Sequence, residues 1–67
     1  MNIKLNNRPQ TFEEDTLTIS EILRLKNYTF KMMVIKINGI LIKKDSYSKA
    51  KVVAGDDVHI IHMISGG

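Results

Sequence analysis

Residues 55–67 read Gly55-Asp56-Asp57-Val58-His59-Ile60-Ile61-His62-Met63-Ile64-Ser65-Gly66-Gly67, which is a turn, a strand and a glycine pair. The first residues are typical of a turn, and Val58 to Met63 are suited to a strand. Because glycine loses more conformational freedom on ordering than any other residue, Gly66-Gly67 is a poor end for a fold. The pair is also thin enough to enter a narrow channel. An inconsequential frayed end is the alternative, but a strand running directly into the pair favours a tail that presents the Gly67 carboxylate.

The size and composition of the chain exclude several functions. Its 67 residues predict one domain, in which a chain this short buries only about 60% of its unfolded surface. There is no cysteine, so no disulfide, thiolate zinc site or cysteine nucleophile is available, as suits a reducing cytoplasm. The sequence has no apolar run near the ~20 residues of a membrane span and no apolar signal-peptide core. We therefore predict a cytoplasmic protein that is not itself an enzyme, with a globular domain over 1–63 and a flexible tail over 64–67.

The charge balance is basic, with ten Lys and Arg residues against seven acids and a net charge of +3. Five of the lysines lie between Lys36 and Lys51. A basic surface suits nucleic acid or an acidic protein. There is no Trp, and the four Phe and Tyr residues are not interleaved with arginine as base-stacking platforms would be. The pattern favours a protein partner over nucleic acid.

The first half of the chain predicts a hairpin and a short helix. Met1 to Leu5 alternates with period two, Asn6-Asn7 suits a tight turn, and the return strand is expected over 10–12 after Pro9. Thr18-Ile19-Ser20-Glu21 is a capping box that begins a helix of about two turns, which Asn27 is expected to end. A helix this short must pack on the sheet to persist.

The second half predicts a central hairpin and a final strand. Residues 32–37 alternate as a strand, Asn38-Gly39 is a strong hairpin signal, and residues 40–42 form the partner strand. A short helical turn is expected around residues 45–48, with Tyr47 covering the end of the core. The predicted order is β-β-α-β-β-β, an α+β fold with one helix across one face of a mixed sheet of four to five strands. The predicted core contains Ile3, Leu5, Phe12, Leu17, Ile19, Ile22, Leu23, Met33, Ile35, Ile37, Ile42, Val53, Val58 and Ile60.

The order, length and ending of the chain resemble the ubiquitin-like β-grasp family, and within it the sulfur carriers of thiamine biosynthesis, the MoaD/ThiS family. The resemblance covers the whole chain. It depends on residues 18–23, on Ile35-Lys36-Ile37-Asn38-Gly39, and on Gly55-Asp56-Asp57-Val58 followed by Ser65-Gly66-Gly67. Family members often have Pro and then Arg after the fourth strand, where this chain has Lys43-Lys44. Met63-Ile64-Ser65 stands where molybdopterin-synthase subunits often carry prolines, which favours the thiamine branch.

The resemblance implies a chemistry centred on Gly67. In the family, an E1-like, ThiF-type enzyme adenylates the terminal carboxylate with ATP. A sulfur-donating enzyme then supplies sulfur to form a thiocarboxylate, and a ThiG-type thiazole synthase takes that sulfur. Residues Ile64, Ser65 and Gly66 would thread the tail into these active sites. The implied protein binds no cofactor of its own and is a monomer alone.

If Val58 and Ile60 face the helix, alternation places His59, Ile61 and Met63 on the open face of the sheet, beside Val34 and Lys36. We expect this face to bind the activating enzyme and thiazole synthase in turn. His59 and His62 point to opposite faces of the strand and cannot chelate one ion, so no metal site is predicted. We expect a surface His59 and a His62 at the core margin. Three alternatives stay open: a carrier for molybdopterin or another thiocarboxylate route, a carrier conjugated to proteins, and a binding module with an inert tail.

Overall fold

Seven strands and one α-helix make up the part of the chain that the structure, a computed structural model, describes, residues 1–29 and 31–63. The helix α1 covers Ile19–Leu25, and a short 3-10 helix covers Lys44–Ser46. The strands are β1 (Asn2–Leu5), β2 (Arg8–Thr11), β3 (Thr16–Thr18), β4 (Met33–Ile37), β5 (Ile40–Ile42), β6 (Lys51–Val53) and β7 (Asp57–His62).

Five of the strands form one sheet in the order β2-β1-β7-β4-β5. The central strand is β7, which pairs in parallel with β1 and antiparallel with β4. The two outer pairs, β1–β2 and β4–β5, are antiparallel hairpins. The sheet is therefore mixed, as predicted. The strand that leads to Gly66-Gly67 in sequence is held on both sides.

Asparagine-containing turns close both hairpins of the sheet. Asn6 and Asn7 have φ angles of 52° and 67°, and Asn38 and Gly39 have φ angles of 51° and 81°. Two central residues with positive φ define the turn that suits the twist of paired strands, and Asn and Gly adopt that conformation most readily. Both predicted hairpins are confirmed. The return strand β2 begins two residues earlier than predicted and contains Pro9, which an edge strand tolerates.

A reciprocal cap begins α1, as the sequence predicted. The Thr18 hydroxyl accepts a hydrogen bond from the Glu21 backbone N–H at 3.2 Å, and the Glu21 carboxylate accepts one from the Thr18 backbone N–H at 2.9 Å. The bond from the Thr18 backbone, followed by the bond from its hydroxyl, holds the pKa of Glu21 below its ordinary value. At neutral pH the carboxylate is therefore ionised at the positive end of the helix, where it is favourable.

The helix ends at an asparagine, again as predicted. Asn27 has a φ of 58° and donates to the Arg24 carbonyl, while Tyr28 donates to the Leu23 carbonyl at 2.8 Å. This pair of bonds is the Schellman motif, which satisfies carbonyl groups that a helix end leaves unpaired. Within residues 1–29 and 31–63, no helix has both the length and the apolar character needed to cross a bilayer.

The core lies between α1 and the sheet. Ile19 and Ile22 of the helix are fully buried, as is Ile35 of β4. Eight of the predicted core residues are buried, and five more are half-buried against them: Phe12, Leu23, Met33, Ile37 and Ile42. The prediction for Val53 was wrong, because Val53 is 46% exposed and Val52 is fully buried in its place.

The error at Val53 has a structural cause, a two-stranded sheet that the sequence did not predict. Strand β6 pairs antiparallel with β3, and Leu17 lies opposite Val52. Both of these side chains are buried, so Val53, one residue further, points to the opposite side. The predicted order β-β-α-β-β-β lacked both β3 and β6, because three residues are too few to show a period.

The two turns quoted for the family resemblance bind each other. The Asn38 side chain donates to one Asp56 carboxylate oxygen at 3.0 Å and accepts from the Asp57 backbone N–H at 2.8 Å. The other Asp56 oxygen accepts from the Val53 backbone N–H at 2.9 Å. The Asn38 backbone also donates to the Asp57 carbonyl at 2.7 Å. This network fixes the start of β7 against the β4–β5 hairpin.

Replacing Asp56 with alanine is expected to lower the free energy of unfolding by about 1–3 kcal/mol. The variant loses two hydrogen bonds to the carboxylate, and the Asn38 side chain and the Val53 backbone N–H lose their acceptor. Denaturant unfolding measures the change. Glu13→Ala is the matched control, since it removes one acid from an exposed loop and should change stability by less than about 0.5 kcal/mol. Equal stability of the two variants would show that the network does not hold the turn.

Candidate functional site: the open face of the sheet and the strand that leads to the tail

The predicted site has two parts, of which the structure describes one. The tail residues Ile64, Ser65, Gly66 and Gly67 lie outside the described residues. The described chain reaches Met63, one residue after β7, and the Met63 backbone N–H donates to the Met32 carbonyl at 2.9 Å. The pairing with the segment before β4 therefore continues to the last described residue.

An asparagine side chain completes the pairing of β7 on its other side. The parallel ladder between β1 and β7 ends where Leu5 lies opposite Val58. Beyond it, the Asn6 amide donates to the Ile60 carbonyl at 3.1 Å and accepts from the Ile60 N–H at 2.8 Å. The side chain thus takes the place of a strand residue. It provides hydrogen-bond partners for the Ile60 backbone beyond the end of β1 and helps to fix the direction of β7.

The five residues predicted for the open face lie side by side. Val34 pairs with Ile61 and Lys36 pairs with His59 across the β4–β7 ladder, while Met63 continues the alternation. Ile61 is 47% exposed and Met63 is 45% exposed, and Val34 is half-buried. The neighbouring Val58 and Ile60 are buried under the helix, so the predicted orientation of the strand is confirmed.

Two further apolar residues extend this face and were missed from the sequence. Leu41 lies opposite Lys36 on β5 and is 57% exposed, and Met32 lies opposite Met63 and is 52% exposed. The signal for Leu41 was available, because a two-residue Asn38-Gly39 turn fixes the register of the hairpin. The signal for Met32 was also available, because the predicted strand over residues 32–37 includes it and alternation places it on the same face as Val34 and Lys36.

The open face is divided into an apolar and a polar part. The apolar part comprises Met32, Val34, Leu41, Ile61 and Met63, next to the point where the chain leaves the sheet. The polar part comprises Lys4, Lys36, Asp57 and His59, at the other end of β7. A contiguous exposed apolar strip beside a charged region is typical of a protein interface.

The two histidines differ in their surroundings. His59 is half-buried, and its Nε2 atom lies 3.3 Å from Asp57 Oδ1. That oxygen is itself buried, and the contact lacks the geometry of a hydrogen bond. His62 is exposed and occupies the opposite side of the strand. The predicted exposures of the two side chains were therefore reversed. In the described ranges, no group of three His, Asp or Glu side chains is arranged to hold a metal ion.

Comparison with known sequences gives one family. A sequence model of the ThiS family matches residues 3–67. The sulfur carrier protein ThiS of Bacillus subtilis (strain 168) is 26% identical over 65 residues, which cover 97% of this chain and 98% of the relative. The family match therefore includes the turn at Gly55, all of β7 and the glycine pair.

Comparison with solved structures gives the same fold. A crystal structure of the thiamine biosynthesis protein ThiS from Geobacter metallireducens aligns with a TM-score of 0.86 and 26% identity, covering all of both chains. A solution structure of a thiamine biosynthesis protein from the same organism aligns with a TM-score of 0.81 and 23% identity, covering 100% of this chain and 88% of that one. The architecture is the ubiquitin-like β-grasp fold that the sequence predicted.

Proposed function

Because the chain belongs to the ThiS family, we propose that it is a sulfur carrier of thiamine biosynthesis whose Gly67 carboxylate is converted to a thiocarboxylate. The observation that supports this most strongly is the family match over 3–67, which includes both terminal glycines. The named relative from Bacillus subtilis, matched over nearly its full length, is a sulfur carrier protein. In this role the chain is a co-substrate of other enzymes in the cytoplasm and is not a catalyst.

The proposed chemistry begins with activation of a poor acyl donor. A carboxylate resists nucleophiles because of its resonance and its negative charge. In the proposed step a Gly67 carboxylate oxygen attacks the α-phosphorus of ATP, pyrophosphate leaves, and an acyl-adenylate forms. A hydrosulfide equivalent derived from cysteine then attacks the acyl carbon and AMP leaves, which yields the thiocarboxylate. An E1-like, ThiF-type enzyme would supply the ATP site, and a sulfur-donating enzyme would supply the sulfur.

The final transfer would pass this sulfur to thiazole synthase of the ThiG type, for the thiazole ring. In each of these steps, the tail would extend from the globular part of the carrier into the active site of the partner enzyme. Four residues follow Met63, and four residues extend at most about 13 Å. The globular part can therefore dock outside an active site that the carboxylate enters. The hydrogen bonds that hold β7 on both sides, including those from the Asn6 side chain, favour a fixed position for the strand that the tail follows.

We propose the open face, with His59, Ile61, Met63, Val34 and Lys36, as the surface that docks on both enzymes. Ile61→Asp should leave folding nearly intact and weaken both bindings by about tenfold or more, since a buried charge without a partner would replace a central apolar contact. Titration calorimetry with each enzyme measures the effect.

Val53→Asp is the matched control for this variant. Val53 is 46% exposed, nearly the same as Ile61, but lies on the separate β3–β6 sheet. Both variants should keep the parent melting temperature within a few degrees, and only Ile61→Asp should lose affinity. Unchanged affinity of Ile61→Asp for both enzymes would remove this face from the proposal.

The proposed function is tested by co-purifying the tagged chain with its native activating enzyme, followed by intact mass of the chain. The carrier hypothesis predicts a species in which one carboxylate oxygen is replaced by sulfur. Recovery with a molybdopterin-type partner would assign the same thiocarboxylate chemistry to the molybdopterin pathway. A chain that binds partners but is never thiolated would support the module with an inert tail.

A further inference from the structure

A groove of about 530 Å³ lies at the edge of the sheet, where β4 begins and β5 ends. Met32, Leu41 and Tyr47 contribute apolar walls, and the lysines at positions 31, 43 and 44 line its border. The groove extends from the open face round the end of the sheet to Tyr47, which packs against the core. Its size is sufficient for one or two apolar side chains of a partner.

Among the described residues, the strand beside this groove has no partner strand on its outer side. Strand β5 is the last strand of the sheet, and a two-residue turn joins it to β4. In such a hairpin the two residues next to the turn donate backbone hydrogen bonds to each other. The next pair of opposite residues makes no backbone hydrogen bonds to each other. That next pair is Lys36 and Leu41, so the Leu41 N–H and C=O point away from the sheet. Among the described residues, no backbone group outside the sheet bonds them.

The opposite edge of the sheet, strand β2, has features that hinder the pairing of a further strand. Strand β2 contains Pro9, which lacks a backbone N–H, and begins with the charged Arg8. Proline and charge are the usual protections of an edge against further strand pairing. Strand β5 consists of Ile40, Leu41 and Ile42 and has neither feature. Ile40 and Leu41 are both exposed.

The charged side chains among the described residues that line the groove are all lysines. Lys31, Lys43 and Lys44 are exposed, and no acidic side chain is among the described residues that line the groove. A second copy of the chain paired through the same edge would add the same lysines, and no complementary acid from the described residues that line its groove. An acidic strand would instead meet three cations.

We propose that β5 and this groove bind an extended acidic segment of a partner protein, which adds a sixth strand to the sheet. Its backbone pairs with Leu41, one apolar side chain enters the groove beside Met32 and Tyr47, and its flanking acids meet the three lysines. Backbone bonds give affinity in this mode of recognition, and pockets for alternate side chains give specificity. The site goes beyond the proposed sulfur chemistry, because it uses no residue of the tail.

The test is a titration of the full ¹⁵N-labelled chain with a blocked peptide of about seven residues, long enough to form one strand. The peptide has β-branched apolar residues at its centre and glutamates at both ends. At low salt, the amide signals of Leu41, Ile42 and Lys43 are expected to shift in a saturable way. Shifts confined to β2 or to the polar part of the open face, or no saturable binding, would overturn the proposal.

Two double variants separate the groove from general electrostatics. One double variant is Lys43→Glu with Lys44→Glu, and the other is Lys49→Glu with Lys51→Glu. Each changes the net charge from +3 to −1, because each substitution replaces a positive charge with a negative one. The first pair should weaken the peptide by about tenfold or more, and the second, which lies outside the groove, by no more than about twofold. Equal weakening by both pairs would show non-specific attraction and contradict the site.

Methylated peptides test strand addition directly. In an added strand only alternate backbone N–H groups face the neighbouring strand, so N-methylation at every second central residue should abolish binding. N-methylation at the residues between them should change affinity by less than about threefold. The same loss at all positions would exclude strand pairing. A chain that dimerises through β5 without peptide, detected by sedimentation, would replace the acidic segment with a second copy and so overturn the proposal.

Discussion

Replacing Ile35 with alanine is expected to lower the free energy of unfolding by about 2–5 kcal/mol. Ile35 is fully buried at the centre of β4, between Ile60 of β7 and Ile42 of β5. The loss combines the transfer energy of the removed carbons with the cavity that rigid neighbours leave behind. A domain is stabilised by roughly 0.05–0.15 kcal/mol per residue, so this single loss is a large fraction of the total for so small a chain.

Ile40→Ala is the matched control, since it makes the same chemical change on the adjacent strand. Ile40 is 67% exposed, and its truncation should cost less than about 0.5 kcal/mol. Denaturant unfolding of the parent and the two variants gives the comparison. An Ile35→Ala protein as stable as the parent would mean that the strand assignment of β4 is wrong.

The features that the sequence predicted well are those set by local chemistry. Alternation identified β4 and β7, and because β7 is buried on one face only, the same alternation placed Ile61 and Met63 on the other. Asn-rich turns and the Thr18 and Glu21 cap fixed the element ends, since few residues suit those backbone conformations. The main parts of the open face could therefore be derived before the structure was known.

The features that the sequence did not predict depend on contacts between distant segments. The face of Val52 is decided by Leu17, which lies on a three-residue strand with no period of its own. The hydrogen bonds from Asn38 to Asp56 and from Asn6 to Ile60 join residues far apart in the chain. In the sequence these asparagines predicted turns, but their second role as partners of β7 could not be derived.

Deleting Gly67 is expected to abolish thiocarboxylate formation while the melting temperature stays at the parent value. For activation, the carboxylate oxygen must lie within about 3–3.5 Å of the α-phosphorus of ATP. Removing one residue draws the carboxylate back by roughly 3.5 Å, out of reach when the domain is docked in the same place. The buried core residues of the described ranges all precede Met63, and a terminal glycine has no side chain to bury, so we expect stability not to change.

Gly67→Ala tests the same position without shortening the chain. Its methyl group would stand beside the reacting carbon, where glycine leaves room for the channel walls and for the incoming sulfur. We expect this variant to lose the acyl-adenylate as well as the thiocarboxylate. Pyrophosphate release by the activating enzyme distinguishes a failure of activation from a failure of sulfur transfer.

The proposal that Gly67 carries the sulfur is tested most directly by intact mass of the parent and of the chain lacking Gly67. Each is incubated with activating enzyme, ATP and a sulfur source under the same conditions. The predicted result is replacement of one oxygen by sulfur in the parent alone, with both chains folded and bound by the enzyme. Thiolation of the shortened chain to the same extent as the parent would contradict the proposal.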